Sequence, residues 1–555
     1  MSPAPPFPDA AVAAIRPLLP ASGDALFVTR WNLALADALR AASPGLRWEV
    51  LTKEDAKGRG GRWLAGRLRE RSRSVVVLED HAPEGLRRRD LYRLLLLAAR
   101  TRVRVLVLGA GAGADSPGGV TPVRPLRDGI ALAGSLALDA AAALAAVAEG
   151  LRLAAALRPR PRRPIPAAGS FAYLRTDYWF GTRAGGSVSH SLGFLAGARA
   201  LGASPEVVGS EPLPLPEGIP QTTVAFPGRP RILEEGAMLL YNRRFAAAAV
   251  RRLRPRPPDV IVHRHSVFSV AGLLVARALD RPLVLEVNGL EVWIRRNWSR
   301  LHLAGLAERL ERRVFAGADR ITVVSEVLRR QLVERGVDPA RIVVNPNGVD
   351  ADRFDPGDRG GEVRERFGFA PDDVVVGFSG TFTRWHGAYF LAEQIGPLAA
   401  ENPKLKFLLL GDGDLRSAAK ERVRADGAAG ACVFPGLVPY GRVPEHLAAC
   451  DILVSPHLPL EDGSPFFFSP VKLYEYMAAG RAVVAAALGQ IGEVLREGET
   501  GLLHPAGDAG AFRRAIRTAA ADPDLRRRLG EAARAEAAGS YTWRDNAARV
   551  LAADG

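Results

Sequence analysis

Apolar residues along this 555-residue chain gather in short runs, and the stretches between them carry apolar positions at helical spacing. Runs of strand length stand at residues 25–29, 48–51, 75–78 and 103–108, with helical patterns between them. A short apolar run bounded by turn formers fits a strand covered on both faces, and alternation with helices predicts a parallel sheet. Residues 1–157 are therefore read as a small α/β layer domain. A Gly-Ala-Gly-Ala-Gly run at 109–113 follows the last of these strands, but no helix opens soon after it. A loop explains it better than a nucleotide site. The segment RPRPRRPIPAA at 158–168 breaks the pattern. Its prolines predict an extended, semi-stiff linker and a domain boundary.

Alternation resumes at Gly169. A strand is predicted at 171–175, then a glycine-bearing loop and a helix over 187–201. Further strands follow at 260–262, 283–287, 321–324 and 342–344, with amphipathic helices at 303–315 and 326–335. A third series opens at 374–378 and continues through 407–410, 452–454 and 482–486. Two successive series of this kind predict two doubly wound parallel sheets facing a cleft. Together with the first layer domain they fill the three domains that this length leads one to expect.

Composition is that of a globular protein, with 48% hydrophobic and 24% charged residues. The formal charge is +15, and residues 1–168 hold 26 Lys+Arg against 15 Asp+Glu, so most of the excess sits in the first third. An arginine-rich composition accounts for that excess by itself; attraction to an anionic membrane is the second reading. No helix combines clustered basic residues with interleaved aromatics, which argues against nucleic acid as a partner. Cys432 and Cys450 lack metal-ligand spacing and fit a reducing compartment without structural disulfides. The opening segment MSPAPPFPDAAVAAIRPLLPA lacks the charged start and long apolar core of a signal peptide. Residues 129–148 approach the length of a membrane span, but Asp139 sits at their centre. A mid-bilayer Asp costs about 2.5–3.5 kcal/mol, so a buried or membrane-grazing helix is expected instead.

Candidate chemistry concentrates in residues 464–499. Ser469 and Pro470 lead into a short amphipathic helix over 471–479, Gly480 ends it, and the apolar strand 482–486 follows. The first turn of a helix presents unpaired N–H groups and the positive end of its dipole, which is where an α/β protein binds phosphate. Lys472 and Glu475 share one face near that end. The ammonium can meet a phosphate, and the carboxylate can accept from sugar hydroxyls. Gly185 and Gly186, in GTRAGG at 181–186, fall between a strand and a helix. There they remove side chains so that backbone can approach a diphosphate, whereas a simple tight turn would not explain their placement. Asn347 and Gly348 read as turn residues after a strand, and Gly411 and Gly413 permit a close approach at a strand's carboxyl end.

Taken in order, five blocks resemble glycosyltransferase family 4: GTRAGG, VVNPNGVDADRF at 343–354, FLLLGDGDLR at 407–416, VFPGLVPYGRVPEHLAACDILVSP at 433–456 and SPVKLYEYMAAG at 469–480. The resemblance covers about residues 169–553. It implies a GT-B fold, two Rossmann-like domains facing a cleft, with an extra N-terminal α/β domain outside it. It also implies an acceptor domain at 169–355, a donor domain at 356–540 and a last segment, 541–555, crossing back to the acceptor domain. In the family the glycines of GDGD lie by the nucleotide base; for Gly411 that role and a purely structural one both stay open.

Departures from the family pattern are informative. Many members carry two glutamates separated by seven residues, the first on the donor sugar and the second on the ribose. Here the second is Glu475, but Phe467 holds the first position. Members often supply an Arg and a Lys from the loop after the first strand of the donor domain. In SGTFTRWHG, at 379–387, Thr381 and His386 take those places. Charge developing on the leaving nucleoside diphosphate still needs stabilising, and Lys472, with Arg384 and His386, is the expected replacement. For Trp385 and His386 a packed loop stays open as the alternative. A subgroup with Trp-His-Gly in this loop and Ser-Pro before the donor helix is the nearest match. Where members show a His after the strand entering the cleft, LVLEVNGLE places Asn288, with Glu286 and Glu291 beside it. Asparagine can orient a hydroxyl but not act as a base, and a turn role stays open for it.

The resemblance thus implies retaining transfer of a sugar from a nucleotide-diphosphate sugar to a glycan or polyprenyl-diphosphate-linked acceptor, in bacterial surface polysaccharide assembly. Asn288, Glu286 and Lys472 are the candidate catalytic residues. Gly185, Gly186, Thr381, Arg384, His386, Gly411, Ser469, Lys472 and Glu475 are the candidate donor-binding residues. No metal or other cofactor is expected beyond the nucleotide sugar itself, and the expected location is the cytoplasm, at the periphery of an anionic inner membrane. Phe467, Thr381 and Asn288 keep a second reading open, a catalytically silent binding protein of the same fold. A pyridoxal-dependent phosphorylase is disfavoured, since Lys404, Lys406, Lys420 and Lys472 offer no persuasive cofactor lysine.

Overall fold

The computed structural model describes residues 12–13, 15–28, 33–51, 67, 73–80, 103–108, 120–122, 125–167, 169–177, 186–228, 230, 233–355, 357–358 and 360–554. The chain divides into two compact units, Met1–Gly150 with Phe226–Leu240, and Leu151–Ala225 with Tyr241–Gly555.

In the first unit, β1 (Gly23–Val28), β2 (Leu46–Leu51), β3 (Arg73–Asp80), β4 (Val103–Leu108) and β5 (Val120–Pro122) form one sheet in the order β2-β1-β3-β4-β5. The four strands expected from the sequence pair in parallel, and β5 adds an antiparallel edge. Val75, Val76 and Val77 are all buried, so both faces of β3 are covered and its sequence shows no alternation. Helix α1 (Pro125–Ala156) contains the apolar stretch around Asp139. Asp139 is buried, whereas Ile130, Leu138 and Leu144 are 67%, 61% and 74% exposed. Among the described residues no helix is long and apolar enough to cross a membrane. The glycine run at 109–113 lies outside the described residues.

The second unit holds two sheets. One is built from β6 (Ser170–Arg175), β7 (Ser204–Gly209), β8 (Gln221–Thr223), β9 (Val260–Arg264), β10 (Leu283–Val287), β11 (Arg320–Val323) and β12 (Ile342–Val344). The other takes β13 (Val374–Ser379), β14 (Leu405–Leu410), β15 (Cys432–Gly436), β16 (Ile452–Ser455), β17 (Ala482–Ala486) and β18 (Leu502–His504). Their orders are β12-β11-β10-β9-β6-β7-β8 and β15-β14-β13-β16-β17-β18, and the neighbouring strands run parallel. Each chain path starts in the middle of its sheet and reverses winding direction, between β6 and β9 and between β13 and β16. Ligands of doubly wound sheets sit in the crevice such a switch opens at the strands' carboxyl ends.

Four helices carry or brace the residues at those strand ends: α2 (Gly186–Ala200), α3 (Glu291–Trp298), α4 (Val471–Ala478) and α5 (Trp543–Leu551). Helix α5 returns to pack on α2. A Cβ on Gly193 would fall 2.1 Å from the Trp543 ring, and one on Gly197 would fall 2.1 Å from the Trp543 carbonyl oxygen. Ala547, Val550 and Leu551 of α5 thereby join the core that holds Phe171, Tyr173 and Phe194.

Candidate active site

Pro470 is the residue before α4 and offers no side-chain cap; its carbonyl accepts from the Leu473 N–H at 3.0 Å, which leaves the N–H groups of Val471 and Lys472 available to another partner. A Cβ on Gly186, the first residue of α2, would meet Val471 Cγ2 at 3.8 Å. The amino ends of α2 and α4, one from each sheet, therefore lie side by side, and their dipoles favour negative charge in front of them. Gly185 lies outside the described residues.

Lys472 and Glu475 are both buried. The Lys472 ammonium donates to His386 Nδ1 at 3.3 Å and lies 4.3 Å from the centroid of the Phe378 ring. Gly380 makes that position available: a Cβ there would fall 2.4 Å from Lys472 Nζ, and its φ is 153°. Burial pulls the Lys472 ammonium down to about 7, with Glu475 opposing. Burial likewise pushes the Glu475 carboxyl up to about 7, against the pull of Arg353, Lys472 and a hydrogen bond from Tyr440. Burial first, then the charges of Lys472 and His457, holds His386 well below the ordinary imidazole range. Titratable groups displaced toward neutrality inside one cleft are what acid–base and anion-binding sites require.

The remaining donor-side candidates divide. Ser469 is buried, and its hydroxyl accepts from the Asn347 backbone N–H at 3.3 Å and meets the Tyr474 hydroxyl at 3.3 Å. Thr381 is exposed at the end of β13. Arg384 is exposed too and pairs with Glu461 at 3.1 Å. At Gly411, with φ 120°, a Cβ would fall 1.9 Å from the Gly380 carbonyl oxygen. The close approach this glycine permits is thus between the two loops that leave β13 and β14. Phe467, which stands where a carboxylate was expected, is fully buried. Its ring sits edge-on to Trp293 at 5.2 Å, and its carbonyl accepts from Ser325 at 2.9 Å. Beside it Trp298, Trp385 and Phe468 stack nearly parallel, with centroids 4.9–5.9 Å apart.

Glu286 and Asn288 sit on the other wall, at the end of β10. Glu286 accepts from Arg264 at 2.7 Å, from Asn288 Nδ2 at 2.5 Å and from the Tyr173 hydroxyl at 3.3 Å, and His190 Nε2 stands 3.0 Å away. Burial alone would raise this carboxyl, but His190 and Arg264 outweigh it and hold it well below the usual carboxylate range. Glu291, the first residue of α3, has no such company; burial pushes it up to about 7 despite His265 and Arg264.

Sequence reasoning missed the connection between the two walls. His190 Nδ1 meets Asn347 Oδ1 at 2.6 Å, and the Asn347 amide nitrogen donates to the Ser469 carbonyl at 2.6 Å. Since the amide N–H is directed at Ser469, its oxygen faces His190, and the imidazole Nδ1–H is the donor. Glu286, His190, Asn347 and Ser469 thus form one chain from β10 to the start of α4. His190 falls four residues after Gly186, on the same face of α2, which was the available signal. His457 was missed as well; it is fully buried behind His386, with ring centroids 5.4 Å apart.

Two doubly wound sheets thus meet at two helix starts, with a buried lysine and a buried glutamate at their junction, an architecture of the α/β class. Residues 184–353 match the model of Glycosyltransferase Family 4, and residues 373–522 match that of Glycosyl transferases group 1. A D-inositol 3-phosphate glycosyltransferase of Acidothermus cellulolyticus is 30% identical over 334 residues, spanning 55% of this chain and 70% of that protein. A GDP-mannose-dependent alpha-(1-6)-phosphatidylinositol monomannoside mannosyltransferase of Mycolicibacterium smegmatis is 29% identical over 284 residues, 51% of this chain and 72% of its own length. Among solved structures, Anabaena HepE in complex with UDP aligns with a TM-score of 0.54 at 19% identity, covering 68% of this chain and 97% of that one. The chain belongs to glycosyltransferase family 4, is a glycosyltransferase, and carries the GT-B fold in its second unit.

Proposed function

We propose that this glycosyltransferase moves a sugar, with retention of anomeric configuration, from a nucleoside-diphosphate sugar to a glycan or polyprenyl-diphosphate-linked acceptor in bacterial surface polysaccharide assembly. One observation carries the donor assignment: the buried Lys472 ammonium has His386 as its polar partner and stands one residue into α4, beside the start of α2. Such a cation next to two helix starts is a built receptor for a diphosphate. The structure of HepE with UDP supports the same donor chemistry by analogy of fold.

In this scheme Lys472 and His386, with Arg384 at the mouth, neutralise charge on the leaving diphosphate, so the reaction needs no metal. Glu475 accepts from the ribose hydroxyls, Gly185 and Gly186 bring backbone donors to the phosphates, and Ser469, whose hydroxyl donates to Tyr474, sets the start of α4 beside them. Thr381 and Gly411 shape the loops around the nucleotide. Asn288, held by Glu286, orients the acceptor hydroxyl. The exposed apolar face of α1, with Ile130, Leu138 and Leu144, suits a peripheral position on an anionic membrane. Transfer assays with UDP-, GDP- and dTDP-sugars, read by product anomer, test the scheme. Turnover that survives both Lys472→Met and Glu475→Gln, or that continues only with added divalent metal, would sink these assignments. Binding to anionic vesicles that Leu138→Glu with Leu144→Glu leaves unchanged would remove α1 from the membrane contact.

A further inference from the structure

Behind His386 the site continues into a second imidazole. His457 follows β16 and is fully buried. Its Nδ1 is hydrogen-bonded with the Ser455 hydroxyl at 2.9 Å, and its Nε2 has no hydrogen-bond partner among the described residues. The pocket that holds Lys472, His386 and His457 is walled by rings. Phe378 lies under the ammonium, Trp385 lies edge-on to His386 at 3.9 Å, and Phe466 lies edge-on to His457 at 5.5 Å. Three basic side chains thus share a desolvated space.

The other charged groups facing this pocket are few. Glu475 lies along α4 from Lys472. Arg353, reaching in from the segment after β12, and Tyr440 both attend Glu475 and not the imidazoles; the Arg353 guanidinium sits 4.3 Å over the Tyr440 ring. The Arg384–Glu461 pair is about 70% exposed on the outside of the loop and contributes little. An ammonium and two imidazoles cannot all be charged in such a space without a counter-charge. A diphosphate supplies that counter-charge.

We propose that the nucleoside diphosphate of the donor binds together with a proton, which is taken up by the cluster of Lys472, His386 and His457. The inference rests on the donor-site assignment above and adds His457 to it as a positioning residue, one that holds His386 against the ammonium and shares its charge. Displacement of Lys472 to about 7 by burial agrees with an ammonium that is only partly charged before the ligand arrives. Binding and protonation then reinforce each other by the same factor. Affinity for the nucleotide must fall as pH rises above neutrality.

Titration calorimetry of the full chain with UDP, GDP and dTDP at pH 8 tests this. The terminal phosphate is already ionised at that pH and takes no part in the proton balance. Measured in buffers of different ionisation enthalpy, such as HEPES and Tris, the heat should rise with buffer enthalpy at a slope of about 0.5–1 proton per nucleotide. Kd should weaken by up to about tenfold per pH unit between pH 7.5 and 9. Lys472→Arg keeps a cation that does not titrate, so it should bind nucleotide with a slope near zero. Should that variant not fold, His386→Asn should lower the slope in its place. Tight binding to the wild type without dependence on buffer or pH overturns the proposal and leaves the donor site standing, as does a slope unchanged in the variant. Failure of all three nucleotides to bind overturns the donor-site assignment itself.

Discussion

Asn347 and Ser469 are joined twice: the Asn347 side-chain amide donates to the Ser469 carbonyl at 2.6 Å, and the Asn347 backbone N–H donates to the Ser469 hydroxyl at 3.3 Å. Both residues are buried, and the contact spans 122 positions of sequence. It fixes where α4 begins relative to the sheet that carries Glu286, and so where Lys472 stands. Asn347→Ala leaves both the Ser469 carbonyl and the His190 Nδ1–H without a partner, at about 1–3 kcal/mol each. Urea unfolding should show a loss of about 2–4 kcal/mol, together with a lower transfer rate. Full stability in this variant would mean that water replaces the amide.

Glu286 offers a pH-dependent counterpart. Its carboxyl is held well below the ordinary range by His190 and Arg264, against burial. The sign follows from linkage. A carboxyl depressed in the folded state adds stability above its unfolded pKa of about 4.3, and that stability is lost as pH falls toward the folded value. Glu286→Gln leaves two basic groups facing each other in the interior. The expected destabilisation is about 3–5 kcal/mol at pH 7, shrinking as pH drops below about 4. Urea midpoints of both proteins at pH 7 and pH 3.5 measure it; a gap that stays constant would show that the carboxylate's charge is not what matters.

Gly411 and Gly380 are tighter still, since a Cβ on the first would reach 1.9 Å from the carbonyl oxygen of the second. Gly411→Ala must push apart the loops leaving β13 and β14, and Gly380 is the residue that leaves room for the Lys472 ammonium. Gly427 is the control: its φ of 72° is positive too, but a Cβ there meets nothing within 4 Å. Gly427→Ala should cost about 1 kcal/mol of backbone strain and leave nucleotide binding alone. Gly411→Ala should cost about 2–4 kcal/mol and weaken nucleotide binding as well. Equal effects of the two substitutions on binding would separate the loop contact from the site.

These contacts also mark where the sequence stops being readable. Strands β10, β12 and β17 run over 283–287, 342–344 and 482–486, as their apolar runs predict, the one in β10 broken only by Glu286. What escapes is β15, whose Pro435 argues against a strand and is tolerated because the strand lies at a sheet edge, β7, whose Pro205 and Glu206 break its apolar run, and β5, β8 and β18, three residues each. Lys472 and Glu475 were legible because helical spacing is local. His190 and Asn347 were not: they meet across 157 positions, and no periodicity encodes such a pair. A turn was all that Asn347 implied by itself. The burial of Lys472 was hidden for a related reason, since Gly380, Phe378 and His386 reach it from another strand's end.

That burial carries the last prediction. Lys472 is displaced to about 7 in the folded, ligand-free protein, against about 10.4 in an unfolded chain. A lowered lysine pKa means that the unfolded state binds the proton more strongly, so stability rises with pH between those two values and carries its full penalty below the lower one. Removing the ammonium should therefore stabilise the empty enzyme. Lys472→Met keeps the apolar stem against Phe378 and should raise stability by about 1–3 kcal/mol at pH 7, with the gain narrowing toward pH 10. The same variant should lose the thermal shift that nucleotide gives the wild type, because its ligand no longer finds a cation. Thermal scans at pH 7 and pH 9, with and without UDP or GDP, separate the two effects. A Lys472→Met protein less stable than the wild type at pH 7 would show that Phe378 and His386 hold the ammonium favourably even before the diphosphate arrives.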